Sequence, residues 1–162
     1  GFLSIKMSSG LGFLVLLFFT ILMTDVGGYV FGSKFGKHPL APVVSPKKTI
    51  EGAVGGSLLA IAVAMLIGYL IHIEWYQALI GGLLITAFAQ IGDLAESLIK
   101  RDAGVKDSGN SLPGHGGFLD RADSYLFSTP VAYFYFNYFV VSDQLTIDFI
   151  SFARKALHAV GL

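Results

Sequence analysis

Two polar blocks hold most of the side chains in this chain that could do chemistry. The second packs ten charged residues into the 31 positions from Asp93 to Asp123. There Asp120 and Asp123 stand at i and i+3, on one face of a helix resuming near Leu119. Asp93 ends an apolar run, so the three acids would bring carboxylates from two helix ends into one site. Hard oxygen donors in a chain without cysteine favour Mg²⁺ or Mn²⁺. Mg²⁺ held by few carboxylates completes its shell with water and substrate phosphates. Lys100, Arg101, Lys106 and Arg121 supply the counter-charge that phosphoryl groups need. The first block runs from Asp25 through Gly27, Gly28, Gly32, Lys34, Gly36, Lys37 and His38 to Ser45-Pro46-Lys47-Lys48-Thr49 and Glu51. Its glycines admit close backbone approach to a ligand, and Ser45–Thr49, ahead of an apolar helix, can cradle a polyphosphate on N-terminal amides. It is not a P-loop.

Each group also has a plainer reading. Asp25 and Asp93 can be wet at the headgroup level, and Glu96 with Lys100 is an ordinary i, i+4 surface pair. The Asp120-Arg121-Ala122-Asp123 run can be a surface salt-bridge cluster, and the lysine-rich loop a patch drawn to anionic lipid at about 1 kcal/mol per charge. The sparsity of charge elsewhere argues for a site.

The elements that must position these residues follow from composition. The chain has 162 residues, 54% hydrophobic and 14% charged, with a mean hydropathy of +0.68. Soluble domains carry about 25% charged residues, so a water-soluble monomer is excluded, as is disorder. Net charge zero gives no case for nucleic acid, and the absence of cysteine removes disulfides and thiol nucleophiles. Apolar runs span Leu11 to about Phe31, Ala53 to Ile73, Tyr76 to Ile91 (extensible through Asp93) and Tyr125 to Val141, the last carrying Pro130. The second, at 21 residues, is long enough to cross a bilayer core of about 30 Å. None shows strand alternation, so the expected fold is all-α: a polytopic bundle of four to five transmembrane helices with polar loops. Small residues in the middle pair, Gly55, Gly56, Ser57, Gly81 and Gly82, would permit close helix–helix contact.

Only Glu74 and Trp75 separate the second and third runs, which therefore form a hairpin. Both polar blocks then lie on one side of the bilayer, and their lysines and arginines assign it to the cytoplasm. Asp25, within an apolar helix, would cost at least ~2.5–3.5 kcal/mol unpaired, which marks it as a functional candidate. Residues 1–142 are expected to form the membrane domain, with 143–162 an amphipathic tail or a last span. The opening Gly1 and the absence of a signal-peptide pattern suggest a chain cut from a longer one.

The run Ser97-x-x-Lys100-Arg101, Lys106-Asp107, Leu112-Pro113-x-His115-Gly116-Gly117-x-x-Asp120-Arg121-x-Asp123 resembles the hallmark of phosphatidate cytidylyltransferases (CDP-diacylglycerol synthases). Asp25-x-Gly-Gly-Tyr29 and Ser45-Pro-Lys-Lys-Thr-x-Glu51-Gly52 are similar to further family segments in the expected order. Ala122 departs from the family's larger residue there. The resemblance covers roughly residues 20–140 and implies the C-terminal catalytic part of such an enzyme. It implies transfer of the cytidylyl group of CTP to phosphatidic acid, with Mg²⁺ and room for a second metal ion. Asp93 and Asp120 would be the principal metal ligands, with Asp123 and Asp25 supporting. Lys100, Arg101 and Arg121 would neutralise phosphate charge, Ser45, Lys47 and Lys48 hold the triphosphate, and His115 orient a phosphate or shape the turn. By the same resemblance Lys100, Asp120, Arg121 and Asp123 would form the catalytic set, the bilayer would be the lipid substrate's reservoir, and a homodimer stays open. A CDP-archaeol synthase, a CTP-dependent polyprenol kinase and a cation-coupled transporter are the alternatives.

Overall fold

The computed structural model describes residues 2–102 and 119–142, with side chains for 10–102 and 124–142. Its elements are helix α1 (Phe2–Phe35), strands β1 (Pro39–Ala41) and β2 (Ser45–Thr49), helices α2 (Ile50–Leu70), α3 (Trp75–Asp102) and α4 (Leu119–Tyr135), and a π-helical turn (Phe136–Val140) continuing α4. Gly10–Phe35, Ile50–Leu70 and Trp75–Asp102 are long and apolar enough to cross a membrane. The protein is a helical membrane protein. The His115 turn and the 143–162 tail lie outside the described residues.

The helices outrun the apolar stretches of the sequence. α1 continues past Asp25 and Lys34 to Phe35, and α3 continues past Ile91 to Asp102. Beyond the apolar run, a charge costs a helix little where its side chain reaches water. Both helices therefore carry their polar ends out to one mouth of the bundle. α2 and α3 form the expected hairpin. Its turn closes on His72 at φ 60, with Ile73 N–H donating to the Gly68 carbonyl (3.0 Å) and His72 N–H to the Tyr69 carbonyl (3.2 Å). These two bonds satisfy the last carbonyls of α2 around a left-handed residue.

The apolar core sits at this hairpin end. Leu16, Leu17, Ile21, Ile73, Ala78, Ile85, Ala132, Phe136 and Val140 are buried there, and Phe13 stacks on Phe136 at 4.6 Å. Tyr135 Oη donates to the Gln77 carbonyl at 3.0 Å, fixing α4 to α3. The outward surface stays apolar: Leu14, Leu58, Leu66, Leu83, Phe134 and Phe139 are all more than half exposed, as a lipid-facing surface requires.

Close packing of α1 against α2 rests on glycine. A Cβ on Gly56 would lie 2.6 Å from the Thr24 carbonyl oxygen and 2.7 Å from Gly28 N. One on Gly52 would lie 2.6 Å from the Gly28 carbonyl oxygen. Gly55 and Gly56 thus face α1, whereas Gly68 and Gly82 meet Ala78 and Ala64 across the α2–α3 hairpin. This sharpens the sequence reading of close helix–helix contact and revises that of the first-block glycines. Gly55 and Gly56 serve the contact with α1, and of the first-block glycines Gly27 and Gly32 hold a helix seam, while Gly28 reaches a cavity.

Between α1 and α2 the chain makes a small antiparallel ribbon, which the all-α expectation did not include. Pro39 pairs with Thr49 and Ala41 with Ser45, with a register shift between them. Val44 N–H closes the turn on the Ala41 carbonyl at 3.2 Å.

Candidate active site

At the polar mouth the helices enclose a cavity of about 470 Å³. α1 contributes Thr24, Asp25, Gly28 and Tyr29; the ribbon contributes Leu40, Ser45, Lys47, Lys48 and Thr49. Gly52 and Ala53 of α2, Gln90, Asp93 and Leu94 of α3, and Ser124 of α4 complete it. Five residues singled out from the sequence (Asp25, Ser45, Lys47, Lys48 and Asp93) therefore share one wall-to-wall space.

Local chemistry explains each placement. β2 runs directly into α2 through Thr49, whose extended backbone (φ −121, ψ 152) and Oγ1, accepting from Gly52 N–H at 3.2 Å, make it the N-cap. Ser45, Lys47 and Lys48 are thus delivered to a helix N-terminus, where free amides favour an anion. The ribbon is tied down by Glu51 in the first turn of α2. One oxygen accepts from Lys37 N–H (3.1 Å) and His38 N–H (3.2 Å), and the other meets His38 Nδ1 at 2.6 Å. Ile50 N–H donates to the His38 carbonyl at 2.9 Å. Arg101 Nε donates to the Val44 carbonyl at 3.2 Å, so the end of α3 rests on the ribbon turn. The described part of the second polar block thus lies on the same side as the first, as the hairpin argument requires.

Across the cavity the Lys48 ammonium pairs with the Asp93 carboxylate. Below them Gln90 Nε2 donates to Ser57 Oγ (2.8 Å) and to the Ala53 carbonyl (3.3 Å), locking α3 to α2 one turn from Asp93. Thr24 Oγ1 donates to the Thr20 carbonyl at 2.9 Å and lies 3.4 Å from Thr86 Oγ1, beside Asp25. Lys100 pairs with Glu96 at 3.1 Å, as spacing allows, but the pair is largely buried, its side chains 17% and 11% exposed. It is not the solvated surface pair of the plainer reading.

Asp120, Arg121 and Asp123 occupy the first turns of α4, and Ser124, the next residue, lines the cavity. Positions 120 and 124 fall on one helical face. The side chains of Asp120, Arg121 and Asp123 lie outside the described residues, as does His115. Among the described residues no three His, Asp or Glu side chains gather as a ready metal cage. Two carboxylates, Asp25 and Asp93, do line the same cavity, and the ammonium of Lys48 stands on Asp93 as a cation would. That donor set fits a hard divalent ion completed by substrate oxygens.

The sequence reading gave Gln90, Thr24 and Ser124 no role and took Glu51 only as part of a family segment. Gln90 had a signal: an amide deep in an apolar run, three residues before Asp93.

A membrane-embedded helical bundle with an acid-and-lysine cavity at one mouth is the class that fold and site define. The chain belongs to the cytidylyltransferase family, whose family model matches residues 2–139. It is 47% identical over 126 residues to a phosphatidate cytidylyltransferase of Staphylococcus saprophyticus, and 46% and 45% identical over the same length to those of Staphylococcus epidermidis and Staphylococcus aureus. Each match covers 76% of this chain and 48% of the relative, so the chain spans about half the length of the curated relatives it matches.

Proposed function

We propose that this chain is the nucleotidyl-transfer core of an enzyme converting CTP and phosphatidic acid to CDP-diacylglycerol and pyrophosphate. The observation that carries the reading is the single cavity in which Asp25 and Asp93 face Ser45, Lys47 and Lys48 at the polar end of a lipid-facing bundle. Membership of the cytidylyltransferase family supports it.

A phosphate oxygen of phosphatidate attacks the α-phosphorus of CTP. The new P–O bond forms as the bond to the oxygen bridging the α- and β-phosphates breaks, and pyrophosphate leaves with that oxygen. Such transfers depend on positioning and charge neutralisation more than on covalent chemistry by the protein. Ser45, Lys47 and Lys48 hold the triphosphate, helped by the N-terminal amides of α2. Lys100, Arg101 and Arg121 neutralise the phosphate charge that builds during transfer. Asp93 and Asp120 would hold Mg²⁺, with Asp123 and Asp25 supporting. Bound there, Mg²⁺ supplies neutralising charge to the phosphates and the leaving pyrophosphate. The nucleotide enters from the cytoplasm, the side to which the clustered lysines and arginines assign this mouth. Phosphatidate enters laterally from the adjoining leaflet.

The test is label partition by the intact protein in detergent with phosphatidic acid and Mg²⁺. The expected result is α-phosphate label in lipid and γ-phosphate label in pyrophosphate. γ-Label in lipid with release of CDP would make the protein a lipid kinase instead.

A further inference from the structure

Lys48 and Asp93 come from different elements, β2 and α3, and meet inside the cavity. Their side chains are 28% and 33% exposed, yet Lys48 Nζ itself is shut off from solvent. Among the described residues it has no hydrogen-bond partner, leaving the Asp93 carboxylate as its recorded ion-pair partner. Its neighbour Lys47 is exposed on the ribbon. One of the two adjacent lysines is thus committed to an acid while the other is open to an incoming anion.

We propose that Lys48 is the resident counter-ion of Asp93 and exchanges partners when the substrate arrives, moving its ammonium from the carboxylate to the triphosphate as a divalent cation takes its place. This rests on the reading of Asp93 as a metal ligand. The physical ground is charge. A carboxylate in contact with an ammonium has little unscreened charge to offer, and a divalent ion beside that partly buried ammonium is repelled at short range. A metal alone therefore meets an occupied ligand. A metal arriving with a triphosphate brings the anion that Lys48 can accept, on a flexible stem with three donors. Metal and nucleotide consequently raise each other's affinity, and by linkage the effect is reciprocal. Asp93 is never left as an uncompensated acid, which would be costly in a bundle of this kind.

The experiment is equilibrium binding of Mn²⁺ alone, followed by its paramagnetic resonance, to the intact protein in detergent without nucleotide or lipid substrate. Lys48→Met is expected to bind Mn²⁺ about tenfold or more tightly than wild type, because the competing charge is gone. Lys48→Arg, which keeps the cation, is expected to stay near wild type. Adding Asp93→Asn to Lys48→Met is expected to abolish the gain. Lys48→Gln repeats the comparison should Lys48→Met not fold. A merely structural lysine would leave Mn²⁺ affinity unchanged or weaken it. Unchanged or weaker binding in Lys48→Met, with Mn²⁺ still lost in Asp93→Asn, overturns the exchange and leaves the metal reading standing. Mn²⁺ binding indifferent to Asp93 in every variant overturns both.

Discussion

Gly56→Ala perturbs the α1–α2 seam directly. The added Cβ would sit 2.6 Å from the Thr24 carbonyl oxygen and 2.7 Å from Gly28 N, both backbone atoms that no rotamer change can clear. Ordinary contact begins near 3.4 Å, so α1 and α2 must part by about 0.8 Å at this point. Overpacking of this kind costs about 1–3 kcal/mol, against which alanine recovers about 0.5–1 kcal/mol of helix propensity. The net expectation is a loss of about 1–2 kcal/mol. The same displacement moves Asp25 relative to Lys48 and Asp93, and misplacement near 1 Å can cost about 10²-fold in rate. Thermal unfolding in detergent and cytidylyl transfer should therefore both fall. Gly28→Ala is the internal control, because a Cβ there meets only the Gly52 carbonyl oxygen at 3.8 Å, an ordinary contact. Its melting temperature should be preserved or raised. Equal melting temperatures for the two variants would refute the backbone-to-backbone seam between α1 and α2.

Three further outcomes follow from the same geometry. Glu96→Gln removes a carboxylate charge 3.1 Å from the largely buried Lys100 and should destabilise the protein by about 1–3 kcal/mol, measured by thermal unfolding in detergent. His72→Gly removes the side chain from a left-handed residue and should stabilise the α2–α3 turn by about 1 kcal/mol, read as a raised melting temperature with unchanged activity. Glu51→Ala unfastens Lys37 and His38 from the start of α2, and steady-state kinetics should show a raised KM for CTP with a smaller change in kcat.

The large features were legible because membrane burial writes itself in long apolar runs. The near-continuous run from Ala53 to Tyr76, broken only by His72, Glu74 and Trp75, predicts a hairpin, and the hairpin alone brings Asp93 to the same mouth as Lys48. Asp25, Ser45, Lys47 and Asp93 were legible as polar residues placed where an apolar chain has reason to avoid them. Other features depend on tertiary neighbours. Pro39, Pro42 and Pro46 hide the β1–β2 ribbon, since proline is a poor strand former except at edges. The glycines of Asp25–Gly36 look equally suited to a ligand or a helix, and only the facing backbone of α2 shows which are which. Glu96 and Lys100 look like any surface pair until the bundle closes over them. Gln90 shows in sequence only as an amide in an apolar run, because its partners, Ser57 and Ala53, are on another helix.

The most direct measurement is cytidylyl transfer from α-labelled CTP to phosphatidic acid by Asp93→Asn in the intact protein, with its melting temperature measured alongside. The substitution keeps the shape of the side chain that faces Lys48 and removes its charge. The expected result is a fold as stable as the wild type's to within about 2 kcal/mol and a fall in kcat of at least about 10²–10³-fold. Turnover near the wild-type rate in a folded Asp93→Asn protein would contradict the assignment of this cavity as the site of transfer.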